Sequence, residues 1–352
     1  SCPKKPGKRV PPMTLKSLKK LVPLLLVLPL ASSLPAADID SNHFGGIKAR
    51  MIGPAVMSGR ITAIAGVNRD PNIIYVGTAG GGVWKSINRV ATFQRVFDRH
   101  SLSIGCITID QDNPDTLWLG TGETNVRNSV SIGSGLYKTV NGGRTWNYVA
   151  FEDSERIRKV VLHPQKPDTL YVAVLGHLWD AHPERGLYRS TDGGSTWDRI
   201  LYADPDTGCT DLEIDPQNPR ILYAAMWQFR RKPYFFNSGG PGCGLYKSLD
   251  GGETWRKIQQ GLPDPVGRIE IALAPTRTSR LYALVESRQN ALYLSDDLGE
   301  HWRKVSESIL ATLRPFYFWH LEVDPDEIGR NYPTAVAQHA VVRDVHVGHD
   351  PV

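Results

Sequence analysis

RGLYRSTDGGSTWDRI (185–200) decides how this chain is read, because four other stretches repeat it: GGVWKSINRVATFQRV (81–96), SGLYKTVNGGRTWNYV (134–149), CGLYKSLDGGETWRKI (243–258) and NALYLSDDLGEHWRKV (290–305). The aromatic anchors Phe93, Trp146, Trp197, Trp255 and Trp302 are spaced by 53, 51, 58 and 47 residues. Ahead of each copy lies a turn that in most copies holds Pro, followed by an apolar run ending in Tyr or Trp, as in HPQKPDTLYVA (163–173) and DPQNPRILYAA (215–225). Ahead of that again lies a second apolar run, such as GCITID (105–110), RKVVLH (158–163) or IEIALA (269–274).

Each unit therefore reads as four antiparallel strands in about 50 residues, which is the size of one β-propeller blade. In STDGGSTW, Asp192 is placed to accept backbone N–H bonds two residues on, while the glycines supply positive φ. Ser190 is placed to cap the same hairpin, and Trp197 is expected to plug against the next sheet. Asn141, Asp192, Asp250 and Asp297, with Trp146, Trp197, Trp255 and Trp302, are thus assigned to structure. The first copy is degenerate, with Asn88 for Asp and Val90 for Gly. The fold class expected is all-β: five blades plus the start of a sixth at RPFYFWHLEVDPDEIGRNYP (314–333), incomplete over 38–330 and followed by an unpatterned tail at 331–352. That ending reads as a truncation or a shifted reading frame, and association through exposed propeller edges is expected.

Composition agrees with many short strands, since the 352 residues include 33 Gly, 25 Pro, 13 Tyr and 9 Trp. The net charge of +5 is concentrated at the front, where the first 37 residues hold seven Lys or Arg and no acid. The remainder carries 34 basic against 36 acidic groups, which disfavours a nucleic-acid partner. Met13, the basic Lys16, Lys19 and Lys20, the apolar run Leu21 to Leu30 and the small residues at 31–37 read as a secretory signal. That run is shorter than the roughly 20 residues a membrane span needs, so export is expected, with cleavage near 31–37 and no span in the mature chain. Of the cysteines after it, Cys209 and Cys243 flank one repeat and could pair, or all three could be small buried residues.

The hairpin pattern resembles the Asp-box, or bacterial-neuraminidase-repeat, propellers, which include sialidases, xyloglucanase-type glycoside hydrolases and sortilin-type receptors. GPAVMSGRITAI (53–64), YVGTAGGGVWKS (75–86), LGTGETNVRNS (119–129) and RRKPYFFNSGGPGCGLYKS (230–248) are similar to large exported bacterial proteins labelled sortilin-like or glycosyl hydrolase-like. The resemblance runs from about residue 44 to 326. Enzyme signatures do not carry over: Arg60-Ile61-Thr62 lacks the Pro of the sialidase Arg-Ile-Pro, and GTAGGGVW (77–84) lacks the acid of the xyloglucanase strand.

Two places could carry chemistry. Strand alternation puts Lys159, Asp211, Glu213, Glu270, His320 and Glu322 near the propeller axis. Paired carboxylates there suit glycosidic acid–base work, with Asp211 and Glu270 as the candidate pair, or else form a hydrated wall of ion pairs. The loops between second and third strands carry Glu123 and Arg127, then His177 and Trp179, then Trp227, Arg230, Arg231 and Tyr234. Aromatic faces stack on sugars and Arg pairs with carboxylates, so a glycan or a peptide could bind there, or the loops could pack on one another. His339, His346 and His349 make a poor metal site, and no cofactor is expected. The function expected is a sortilin-like exported binding module; the alternative is a glycoside hydrolase of xyloglucanase or sialidase type.

Overall fold

The computed structural model describes residues 60–128, 130–308, 312–323 and 340–342. The expected signal at 1–37, the three tail histidines and most of 331–352 lie outside them. Blade 1 is β1 (Ile61–Val67), β2 (Asp70–Thr78), β3 (Val83–Ser86) and β4 (Gln94–Phe97); blade 2 is β5 (Ile104–Ile109), β6 (Leu117–Thr121), β7 (Leu136–Thr139) and β8 (Asn147–Ala150). Blade 3 is β9 (Ile157–Leu162), β10 (Leu170–Val174), β11 (Gly186–Ser190) and β12 (Asp198–Leu201). Blade 4 is β13 (Thr207–Ile214), β14 (Leu222–Arg231), β15 (Phe236–Ser238), β16 (Gly244–Ser248) and β17 (Arg256–Ile258). Blade 5 is β18 (Ile269–Leu273), β19 (Leu281–Val285), β20 (Ala291–Ser295) and β21 (Arg303–Ser306). A single turn of helix, α1 (Pro315–Phe318), leads to β22 (Leu321–Val323), which pairs in parallel with β23 (Ala340–Val342) inside the stretch expected to be unpatterned.

Each blade is an antiparallel sheet in chain order, with β15 added as a hairpin on the far end of β14. The first strands of successive blades, β1, β5, β9, β13, β18 and β22, lie side by side. The five blades are therefore arranged around their innermost strands, as a propeller requires.

The repeated turn holds itself. Ser190 Oγ donates to Asp192 Oδ1 at 2.8 Å and accepts from Gly194 N at 2.9 Å. Asp192 Oδ1 accepts from Ser195 N and Thr196 N, each at 2.9 Å, three and four residues on rather than two. Asn141 makes the same turn with Thr145 N at 3.0 Å, and even degenerate Asn88 does so with Thr92 N at 2.9 Å. Glycine is needed at Gly194, where φ is +97° and a Cβ would meet the Trp118 ring at 2.7 Å.

The aromatic anchors pack backwards, not onto the next sheet as expected. Trp146 Nε1 donates to Val96 O of blade 1 at 2.9 Å, and its ring meets Phe97 edge-on at 5.5 Å. Trp197 lies 5.1 Å from Phe151 at the end of blade 2, Trp255 packs with Ile200 and Leu201 of blade 3, and Trp302 is buried with Ile258 of blade 4. The turn lies at the outer end of its blade, and the hairpin's twist carries the ring across the outer strand of the blade before.

The same joint is gripped from the other side. Tyr75 Oη and Lys85 Nζ of blade 1 both donate to Gly142 O, at 3.2 and 3.1 Å, in the turn of blade 2. Lys138 Nζ reaches Gly193 O at 3.2 Å, Tyr171 Oη and Arg189 Nη1 reach Gly251 O at 3.2 Å, and Lys247 Nζ reaches Leu298 O at 2.6 Å. Blades 1 to 4 thus each clamp the turn of the next with a second-strand aromatic and a third-strand cation.

Cys106, Cys209 and Cys243 are free and buried, so Cys209 and Cys243 do not pair. Cys209 Sγ instead donates to Asp211 O at 3.4 Å, and Cys243 Sγ accepts from Gln228 N at 3.0 Å.

Candidate functional site

The axial charges come together, but as a saturated network. Lys159 Nζ bridges Asp211 Oδ1 and Glu213 Oε1, each at 2.8 Å, and Asp211 Oδ2 accepts from Ile271 N of blade 5 at 2.8 Å. Glu270 takes Arg158 Nη2 on both oxygens, at 2.8 and 2.9 Å, and Arg268 Nε at 2.9 Å. Burial alone would raise the Glu270 carboxyl, yet Arg158 and then Arg268 hold it down at about 2. A carboxyl held there is ionised at neutral pH and has no proton to donate. Asp211 and Glu270 are both buried and ion-paired, an arrangement that matches the alternative of a wall of ion pairs and ties blades 3, 4 and 5 together. Glu213 differs: it keeps partial contact with solvent, and burial raises its pKa against the opposing pull of Lys159.

Sequence alternation missed Arg158. The pairing of β9 with β10 skips it, a bulge matched at Thr210 in β13, so Arg158 and Lys159, adjacent in sequence, both reach inward partners. Arg158 Nε also donates to Thr210 O at 3.0 Å and Nη1 to Thr124 Oγ1 at 3.1 Å, so one guanidinium touches blades 2, 4 and 5.

The loops divide into members that hold the fold and members that face solvent. Glu123 is buried and takes Arg60 Nε at 3.0 Å and Nη2 at 2.6 Å. Trp227 is fully buried, stacked on Phe229 at 4.4 Å, with its Nε1 on Ser238 Oγ at 2.9 Å. The Arg127 guanidinium lies over the Tyr317 ring at 5.9 Å. His177 stacks on His182 at 3.9 Å and bonds Asp180 Oδ1 and Asp153 O, while Arg231 lies over Phe236 at 4.8 Å. These five are largely occupied in holding loops to one another.

Trp179, Tyr234 and Phe235 present their rings to solvent, Tyr234 at 85% exposure. Arg231 N donates to Leu178 O at 2.9 Å, which brings the loop carrying Trp179 beside the β14–β15 hairpin carrying Tyr234. Under the hairpin lies a cavity of about 220 Å³ lined by Asp206, Gln228, Phe229, Arg230, Lys232, Phe235 and Asn237. Arg230 is ion-paired with Asp206 at its wall, and the buried Gln228 Oε1 has no hydrogen-bond partner. Of these lining residues only Arg230 was singled out from sequence. The signal was the interval of 58 residues between Trp197 and Trp255, the longest of the four, which is the hairpin's insertion.

Comparison with known proteins agrees with this architecture. The family described as Sortilin, neurotensin receptor 3, matches residues 134–262. Xyloglucanase Xgh74A of Acetivibrio thermocellus is 26% identical over 180 residues, covering 42% of this chain and 20% of that protein. A probable oligoxyloglucan-reducing end-specific xyloglucanase of Neosartorya fischeri is 25% identical over 222 residues, covering 57% and 24%. Among solved structures, an ancestral GH74 enzyme superposes with a TM-score of 0.60 at 20% identity, covering 79% of this chain and 35% of that one. The GH74 enzyme of Niastella koreensis superposes with a TM-score of 0.53 at 22% identity, covering 69% and 38%. The chain is an Asp-box β-propeller. Parts of it are similar to the sortilin family and to xyloglucanases, and it spans about a fifth to a quarter of the length of these curated relatives. No helix among the propeller's described residues is long and apolar enough to cross a membrane.

Proposed function

We propose that this propeller engages a glycan of the β-glucan class across the loops of blades 3 and 4, as part of a glycoside hydrolase. The carrying observation is the pairing of solvent-facing Trp179, Tyr234 and Phe235 with a cavity lined by the Asp206 carboxylate, the Arg230 guanidinium and the Asn237 amide. Rings of this kind stack on the apolar faces of pyranoses, while amides and charges accept and donate to their hydroxyls. The xyloglucanase relatives support the substrate class.

The hydrolytic step is placed at the axis with the proton on Glu213, which shares Lys159 with Asp211. Glu213 combines solvent contact with a raised pKa, the pairing a general acid needs.

The test is calorimetric binding of xyloglucan oligosaccharides, with reducing-end release from xyloglucan and mixed β-glucans measured in parallel. Trp179→Ala with Tyr234→Ala is expected to weaken binding at least about tenfold at unchanged melting temperature, each stacked ring supplying about 1 kcal/mol. Glu213→Gln is expected to abolish release and spare binding. A wild-type chain that binds none of the panel would sink the glycan reading and leave the peptide expectation standing. Release that survives Glu213→Gln but not Asp211→Asn would return the acid role to Asp211.

A further inference from the structure

The His177 ring meets only acceptors. Its Nδ1 lies 2.8 Å from Asp180 Oδ1 and its Nε2 lies 2.6 Å from Asp153 O, a carboxylate and a backbone carbonyl. Neither partner can donate, so a neutral imidazole with one N–H serves one of them, and only the imidazolium serves both. His182 stacks on the ring at 3.9 Å and leaves its own Nδ1 buried without a partner. Burial, then the neighbouring His177, lowers the His182 pKa, which keeps His182 the neutral member of the pair. The two bonds of His177 hold different things. The Asp180 bond closes a turn of four residues in which Leu178 is buried and Trp179 stands at the tip, 46% exposed. The Asp153 bond ties that tip to the short turn Glu152–Ser154, bracketed by Phe151 and Glu155 at φ of +65° and +59°. Non-glycine residues keep such φ values only where their surroundings hold them.

The other charges around the pair are already engaged. Asp180, Glu184 and Arg185 face it from its own loop, Asp153 and Arg156 from the neighbouring turn, and Arg231 where β14 meets Leu178. Arg156 is paired with Glu155, Arg185 with the carbonyls of His177, Asp180 and Asp206, and Arg231 lies over Phe236. Glu184 takes the Ser154 hydroxyl, so His177 is the cation bonded to Asp180. We propose that His177 is a positioning residue whose proton sets the Trp179 ring, so that the face carrying Trp179 and Tyr234 grips its ligand more tightly in mild acid than in mild base. As pH rises through about 6.5, the ordinary histidine value, the ring gives up one N–H and with it one of its two bonds. Either the turn around Trp179 or its tie to Asp153 then opens. The ligand is the glycan proposed above, and the binding half rests on that reading; the setting of Trp179 is observable without any ligand.

The test follows Trp179 by fluorine NMR in the full chain labelled with fluorotryptophan, its line assigned by Trp179→Phe. Between about pH 5.5 and about pH 8 the wild-type line is expected to move along a single-proton curve. Asp180→Asn is the discriminating variant, because the new amide can donate to Nδ1 of a neutral ring while Nε2–H keeps Asp153 O. Its Trp179 line is expected to stay nearly flat across that range, as is that of His177→Gln. Xyloglucan oligosaccharides are titrated in parallel by calorimetry. The wild type is expected to bind about fivefold more weakly at the higher pH, the worth of one hydrogen bond. Asp180→Asn is expected to bind at both pH values as the wild type does in acid, and His177→Gln weakly at both. A wild-type line that ignores pH, or one that titrates unchanged in Asp180→Asn, overturns the inference. So does a titration that survives His177→Gln and is abolished by His182→Gln. A line that titrates as expected in a chain that binds no oligosaccharide supports the positioning role and removes the glycan reading instead.

Discussion

At the scale of single residues, the repeat's Asp is an acceptor whose charge matters less than its geometry. The Thr196 side chain and backbone, then Ser190, hold the Asp192 carboxyl at about 2, below an unfolded value near 3.9. A depressed pKa contributes stability that is complete above the unfolded value and is lost as pH falls from about 4 toward 2. Asn141 builds the same turn with an amide, donating from Nδ2 to Thr145 Oγ1 at 2.7 Å. Asp192→Asn is accordingly expected to melt below wild type at pH 7, and Asp192→Ala, which loses the acceptor as well, lower still. The gap between wild type and Asp192→Asn should narrow or reverse below pH 3 in thermal melts. This part of the fold was readable from the chain because its bonds span four residues or fewer, so spacing alone specifies them. The partner of Trp197 was not readable, because a backward or forward ring depends on blade twist, which no local spacing records.

At the scale of the strand and its turn, the clamp between blades is the element worth breaking. Lys247 is buried, donates to Leu298 O and Glu300 Oε1, and lies over the Tyr223 ring at 5.7 Å. Lys247→Met keeps most of the volume and removes one of the two donors to the Leu298 carbonyl, Tyr223 Oη remaining at 2.9 Å, together with the bond to Glu300, at an expected cost of about 1 kcal/mol. The urea midpoint should fall with little change in slope, whereas an unchanged midpoint would mean that the aromatic contacts alone hold the joint. The same scale shows where sequence reading stopped short. Regular alternation gave the correct axial face for Lys159, Asp211 and Glu270, yet a one-residue bulge beside Lys159 swung Arg158 inward as well. Bulges insert a residue without a sequence mark, so the bidentate partner of Glu270 was invisible until the strands were paired. The β14–β15 hairpin was legible only as extra length, and the cavity beneath it depends on how that length folds back.

At the scale of the whole molecule, the axis behaves as a rivet of charge through blades 3, 4 and 5. Glu270→Gln would leave Arg158 and Arg268 buried with reduced compensation, and loss of such a partner costs about 3–5 kcal/mol. The native carboxyl at about 2 lies below the unfolded value near 4.3, so wild-type stability should hold above pH 4 and decline from there toward pH 2. Urea denaturation at pH 7 and pH 3 should show the difference between wild type and Glu270→Gln shrinking at the lower pH. Equal differences at both values would place the effect in packing rather than in charge.

The clamps run one way around the ring, each blade holding the turn of the one after it. Blades 2 to 5 have their turns gripped by a predecessor, while among the described residues the Asn88 turn of blade 1 is held within its own blade, by the Ser86 and Thr92 bonds and by Arg89 N on Asn72 O at 3.2 Å. Amide exchange and proteolytic nicking are expected to start at the turn after Ser86, and because each joint is held both by the grip on the successor's turn and by the ring packed backwards, a blade that opens loosens both of its neighbours.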